Sequence, residues 1–122
     1  MKIENKVIYN HLDFLTKEEQ DKAKGIFETK FPKLQRIIKN EVNLIVTIKV
    51  KEKQGLKKQY FFFVKTESPS REFAITPKES DLEELGSWNI ATAANNSMKK
   101  LLEIIQHKFS RRDPKNLLKA RR

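Results

Sequence analysis

The chain has 122 residues, 38% of them hydrophobic, no cysteine and a formal net charge of +10. That length and apolar content suit one domain with one modest core. Disulfides and thiolate metal sites are excluded, and two histidines alone, His11 and His107, make a poor zinc set. No apolar run approaches the roughly 20 residues that cross a bilayer, and the N-terminal residues lack the apolar stretch of a secretion signal. A cytoplasmic, soluble protein is therefore expected.

The first predicted element is a strand over residues 6–10, KVIYN, rich in β-branched and aromatic side chains. Thr16 followed three residues later by Glu19 matches a capping box, so a helix should begin near Lys17. Ala23, Ile26, Phe27 and Phe31 recur at three- and four-residue steps and form its apolar stripe. Pro32 lacks an amide and predicts an end or kink there, with a further turn over residues 33–38.

From Val42 the period changes to two. Val42, Leu44, Val46, Ile48 and Val50 point one way, and Asn43, Thr47, Lys49 and Lys51 the other. A charged stretch containing Gly55 then leads to YFFFV over residues 60–64, which predicts a hairpin. Turn residues around Pro69 precede REFAIT, residues 71–76, a candidate fourth strand. Residues 77–87 are acidic and read as a long surface loop. A final helix over residues 89–109 places Ile90, Ala94, Met98, Leu101 and Ile105 on one face and Lys99, Lys100, Glu103 and His107 opposite. Asp113-Pro114 should end it. The order implies an α+β fold, a two-layer β-α-β-β-β-α sandwich with both helices on one face of a four-stranded sheet. Residues 1–112 form the domain and residues 113–122 a basic, flexible tail.

Charge is gathered at one end. Residues 99–122 carry nine Lys/Arg against two Asp/Glu, which is +7 of the total. Lys99, Lys100, His107 and Arg111, followed by Arg112, Lys115, Lys119, Arg121 and Arg122, match the electrostatic footprint of nucleic-acid binding. Attraction to acidic lipid is a secondary reading of the same basic helix. Phe61, Phe62 and Phe63, flanked by Lys57, Lys58 and Lys65, fit either a core strand or a platform that stacks single-stranded bases, with the core reading preferred. Trp88 reads as a core or hinge anchor. His11 near Asp13 and His107 near Glu103 read as loop and helix-surface residues, and no phosphate loop, nucleophile elbow or paired-carboxylate motif is present. An enzyme is not expected, although a small nuclease using His11 or His107 is the rival of another class. No cofactor or small-molecule substrate is expected.

The element order and several residues resemble the ribosome hibernation-promoting factor family, also called ribosome-associated inhibitor A. In that family the last helix carries an Asp-x-Tyr-Ala-Ala-Ile-Asp pattern leading to Asp-Lys-Leu and then basic residues. NIATAANNSMKKLLEIIQHK, residues 89–108, runs in similar register, with Ala93, Lys100 and Leu101 at its Ala, Lys and Leu. KLQRII and VNLIVTIKV, within residues 33–50, resemble its join from first helix to second strand. Asn89 and Asn95 stand where the family has Asp, and Ala91 where it has Tyr. The resemblance implies a translation inhibitor that lodges in the mRNA and tRNA channel of the small ribosomal subunit and keeps idle ribosomes silent. It also implies an rRNA-contacting set: Lys99, Lys100, His107, Lys108 and Arg111 from the last helix, to which Arg112 just beyond it is added, and Lys24, Lys30, Lys33 and Arg36 from the first. Without the family's long-form dimerisation domain, a monomer is expected when free. The alternative is a general binder of structured or double-stranded RNA, not dedicated to the ribosome.

Overall fold

A computed structural model describes residues 3–53 and 57–110. Strand β1, Val7–Asn10, is followed by a 3₁₀ turn, Leu12–Phe14, and helix α1, Lys17–Ile38. Strands β2, Asn43–Lys53, and β3, Lys57–Glu67, come next, then a 3₁₀ turn, Arg71–Phe73, a short helix α2, Glu79–Glu83, and helix α3, Ile90–Ser110. The strands form one mixed sheet in the order β1-β2-β3. β1 runs parallel to β2, with Val7 opposite Leu44. β3 runs antiparallel to β2 from Asn43↔Glu67 to Lys53↔Lys57. The hairpin is therefore as expected, while its turn lies outside the described residues.

α1 and α3 pack together on one sheet face. The core between the layers takes Phe27, Leu34 and Ile38 from α1, Met98, Leu101 and Ile105 from α3, and Leu44, Val46, Ile48, Phe62 and Val64 from the sheet. The period-two reading of β2 assigned its core face correctly. Asn43 departs from the pattern: it faces away from the helices yet is only 2% exposed. Its amide oxygen accepts the backbone N–H groups of Glu4 and Lys6, 3.0 and 3.4 Å away, so the N-terminal segment closes over it.

The capping box at Thr16 is present, with the Thr16 amide 2.8 Å from Glu19 Oε1 and the Glu19 amide 3.3 Å from Thr16 Oγ1. Pro32 does not end the helix; α1 continues to Ile38 with the proline inside it. Packing outweighs the missing hydrogen bond here, because Phe31, Leu34 and Ile38 are all buried around an exposed Pro32.

The expected fourth strand is absent, and the sheet of the described residues has three strands. Ser70 Oγ accepts the Glu72 amide and folds residues 71–73 into a 3₁₀ turn. Thr66 then holds the segment without a ladder. Its amide donates to the Ile75 carbonyl (2.9 Å), and its hydroxyl accepts the Ile75 amide (2.7 Å) and donates to the Phe73 carbonyl (2.8 Å). Pro77, two residues on, has no amide with which to continue pairing. The acidic stretch that read as a loop contains α2, whose Glu79 and Asp81 suit a helix N-terminus and whose Leu82 is buried. The chain then returns to the edge of β3, where Ser87 exchanges backbone hydrogen bonds with Tyr60. Trp88 is not a core anchor: Ile90 takes the buried position and Trp88 stays 50% exposed.

Candidate nucleic-acid interface

The two long helices run in the same direction. α1 begins beside Tyr60, whose hydroxyl donates to Glu19, and its end feeds β2 at Asn43, opposite Glu67. α3 begins after Ser87, also paired to Tyr60, and ends where Phe109 meets Phe73 (ring centroids 5.4 Å apart) beside Thr66. Both C-termini thus lie at one end of the sandwich. Their unsatisfied carbonyls place partial negative charge there, which cations in the last turns offset.

Of the predicted residues, Lys30, Lys33, Arg36 and His107 lie toward this end, and Lys39, which the sequence did not single out, lies there too. Lys33 and Arg36 are exposed near the end of α1, Lys39 caps it in the left-handed conformation (φ 55°), and His107 is exposed in the last turn of α3. Lys30 is half-buried one turn earlier. None of these has a carboxylate within salt-bridge distance among the described residues. Ser110 lies at the same end, so the six Lys/Arg of residues 111–122 join the molecule there. Arg111, Arg112 and the predicted tail lie outside the described residues.

Other predicted residues lie apart from this cluster. Lys99 is exposed and Lys100 half-buried two turns before His107, about 12 Å along α3. Lys24 is on the β1 flank of α1, its ammonium 5.9 Å from the centroid of the Tyr9 ring. Lys108 is engaged structurally: Nζ donates to the Glu72 carbonyl at 2.9 Å and straps the end of α3 to the 3₁₀ turn.

The sheet face away from the helices holds a second candidate surface. A groove of about 490 Å³ crosses it, floored by Thr47, Lys49, Phe63 and Lys65 and walled by His11 and Phe14 on one side and Pro77 and Glu79 on the other. The His11 and Phe14 rings stack at 4.9 Å with 8° between planes, and Phe14 is 52% exposed. The three consecutive phenylalanines have three fates. Phe62 is fully buried under the helices, Phe61 is buried on the opposite face, and Phe63 stays partly exposed in the groove. Phe61 is closed off by Gly86, where a Cβ would overlap its ring, and by the Lys51 ammonium 5.1 Å from its centroid. Alternation identified these two sheet faces, but Phe14 escaped the sequence reading because His11, Leu12 and Phe14 belong to no run with a helical or strand period.

A second concavity, beside the start of β3, is lined by Lys57, Lys58, Tyr60 and the exposed Trp88. Among the described residues no group of three or more His, Cys, Asp or Glu is placed to hold a metal ion. No described helix is long and apolar enough to cross a membrane. No family model, curated protein or solved structure matches this chain.

Proposed function

We propose that this protein is a non-enzymatic RNA-binding factor that docks on the small ribosomal subunit and silences translation, gripping rRNA phosphates with its helical layer. One observation carries the reading. The C-terminal ends of α1 and α3 lie at one end of the sandwich, so Lys33, Arg36, Lys39 and His107 share that end, without ion pairs among the described residues, where the most basic stretch of the chain begins. Lys99 extends the positive surface along α3. Such a surface offers point charges and a guanidinium fork to phosphate oxygens and carries no base-reading pattern, so shape and backbone recognition follow.

Sedimentation with purified ribosomes tests the proposal. The protein should co-migrate with the small subunit at moderate salt, and the combined variant Lys33→Glu, Arg36→Glu, Lys99→Glu should stay in the supernatant while keeping its thermal transition. A wild-type protein that never co-migrates sinks the ribosomal reading. The 3₁₀ turn at Arg71–Phe73, standing where the hibernation-factor order requires a strand, favours a second reading: the same surface serving structured RNA in general. Equal affinity for ribosomes and for an arbitrary RNA duplex, in competition, selects it.

A further inference from the structure

We infer that the groove on the helix-free sheet face is a second RNA site, one that takes unstacked bases of a single strand. The inference goes beyond the helical surface and stands on separate residues. Two aromatic rings there keep surface open to the groove, Phe14 most of its area and Phe63 part of it. Phe14 has one face against the His11 ring and more than half its surface exposed. Its partner His11 is set by a left-handed backbone (φ 64°) that positions the imidazole as a backing plate. Across the groove, Phe63 lies opposite the small Thr47 in the strand register, so nothing bulky covers it from β2. Two residues away, Phe61 is sealed by Gly86 and Lys51.

Charge decides the occupant. Lys65 follows Phe63 by two residues on β3, about 6.6 Å along the strand. Lys49 is the diagonal neighbour of Phe63 on β2, about 7–8 Å away, on the other side of the Phe63–Thr47 pair from Lys65. Both are exposed, and neither has a carboxylate in salt-bridge range among the described residues. An apolar peptide seated in the groove would strip water from both ammonium groups and return nothing to them. A single strand satisfies each part: bases stack on Phe63 and Phe14, and the phosphates between them reach Lys49 and Lys65. Glu79 on the far wall adds an acceptor for an exocyclic amine. A duplex is excluded because its bases are already stacked inside the helix. The groove volume also falls within the range of natural ligand clefts.

The test is fluorescence anisotropy with a labelled ten-nucleotide unstructured RNA and, in parallel, an RNA duplex, at moderate salt. Phe14→Leu and Phe63→Leu keep apolar bulk and remove the rings, and Lys49→Glu with Lys65→Glu removes the phosphate contacts. Each is expected to weaken single-strand binding about tenfold or more while leaving duplex and ribosome binding within twofold. Conversely, the helical variant proposed above should lose duplex and ribosome binding and retain a single-strand component. Thermal melting checks that the variants are folded, and Phe14→Leu, at an exposed position, keeps the test valid if Phe63→Leu does not fold. The inference is overturned if the wild type does not bind the single strand, if the groove variants leave that binding unchanged, or if Trp88→Ala alone removes it.

Discussion

The Tyr60 hydroxyl donates to the Glu19 carboxylate, joining the capping box of α1 to the first core residue of β3. One carboxylate therefore accepts from the Thr16 amide and from a side chain 41 positions away in sequence. Burial pushes the Tyr60 phenol up to about 12, with the bond to Glu19 and its negative charge adding to the shift. For Glu19, partial burial works to raise the carboxyl. The Tyr60 hydroxyl, the Thr16 contacts and the Lys58 charge outweigh it, leaving the carboxyl below its ordinary value.

A lowered folded-state carboxyl means stability that is present above the unfolded value of 4.5 and lost as pH falls through the folded value. Thermal melting from pH 6 to pH 3 should show this loss. Glu19→Gln keeps an acceptor for the cap and cannot ionise, so its melting temperature should fall less steeply over that range. The raised Tyr60 has the opposite sense: its contribution is intact below 10 and is lost as pH rises toward 12. Tyr60→Phe should remove that alkaline component and cost about 1 kcal/mol at neutral pH. Parallel acid slopes for wild type and Glu19→Gln would show that the pairing contributes nothing.

Gly86 is required by contact with a ring. Its position against Phe61 leaves no room for a Cβ, and the obstacle is a buried aromatic ring of β3 rather than the loose end of a side chain. Gly86→Ala should destabilise by about 1–3 kcal/mol, the usual cost of overpacking, and chemical denaturation measures it. The double variant Gly86→Ala, Phe61→Leu should recover part of the loss, because the ring edge that clashes is gone.

How far the sequence foretold the structure depended on the range of the interaction involved. The start of α1 was legible because a capping box is contained in four residues, Thr16 to Glu19. The core faces of β2 and β3 were legible because alternation is a local pattern that survives any partner. The fourth strand failed because a non-local event decided it: the Thr66 hydroxyl captures Phe73 and Ile75 and takes the place of a ladder. Helix α2 was missed because it buries a single residue, Leu82, and one anchor has no period. For the candidate site, the basic residues were visible as composition. Their grouping at one end depends on α1 and α3 running in the same direction, which long-range contacts fix: Tyr60 with Glu19 and Ser87 at one end, Phe109 with Phe73 at the other.

Asn43 offers a prediction that separates burial from polarity. Its side-chain oxygen accepts from the Glu4 and Lys6 amides, while Asn5 Oδ1 accepts the Val42 amide at 2.9 Å, so two asparagines hold the N-terminal segment to the start of β2. Asn43→Leu fills the volume yet leaves those two amides without their acceptor. A loss of about 1–3 kcal/mol is expected, with faster amide hydrogen exchange at Glu4 and Lys6. Unchanged exchange there would mean that backbone pairing of β1 alone fixes the segment.

Pro32 gives the one substitution expected to stabilise. It sits on the exposed side of α1, one residue after buried Phe31 and two before buried Leu34, so the helix is held through the proline by its packed face. Pro32→Ala restores a backbone N–H for the Glu28 carbonyl and removes the ring that crowds it, without touching the core. Inside a helix proline costs about 3 kcal/mol, and the alanine variant gives back part of that through a freer unfolded chain. A net gain of about 1–2 kcal/mol in denaturant-measured stability should remain. Lys33 and Arg36 are on the turn that follows, so their presentation depends on the direction of the helix past residue 32. If the proline also bends that turn toward the proposed RNA target, Pro32→Ala should be more stable and yet bind ribosomes more weakly. A variant that is more stable with unaltered co-sedimentation would show that α1 presents its cations without help from the proline.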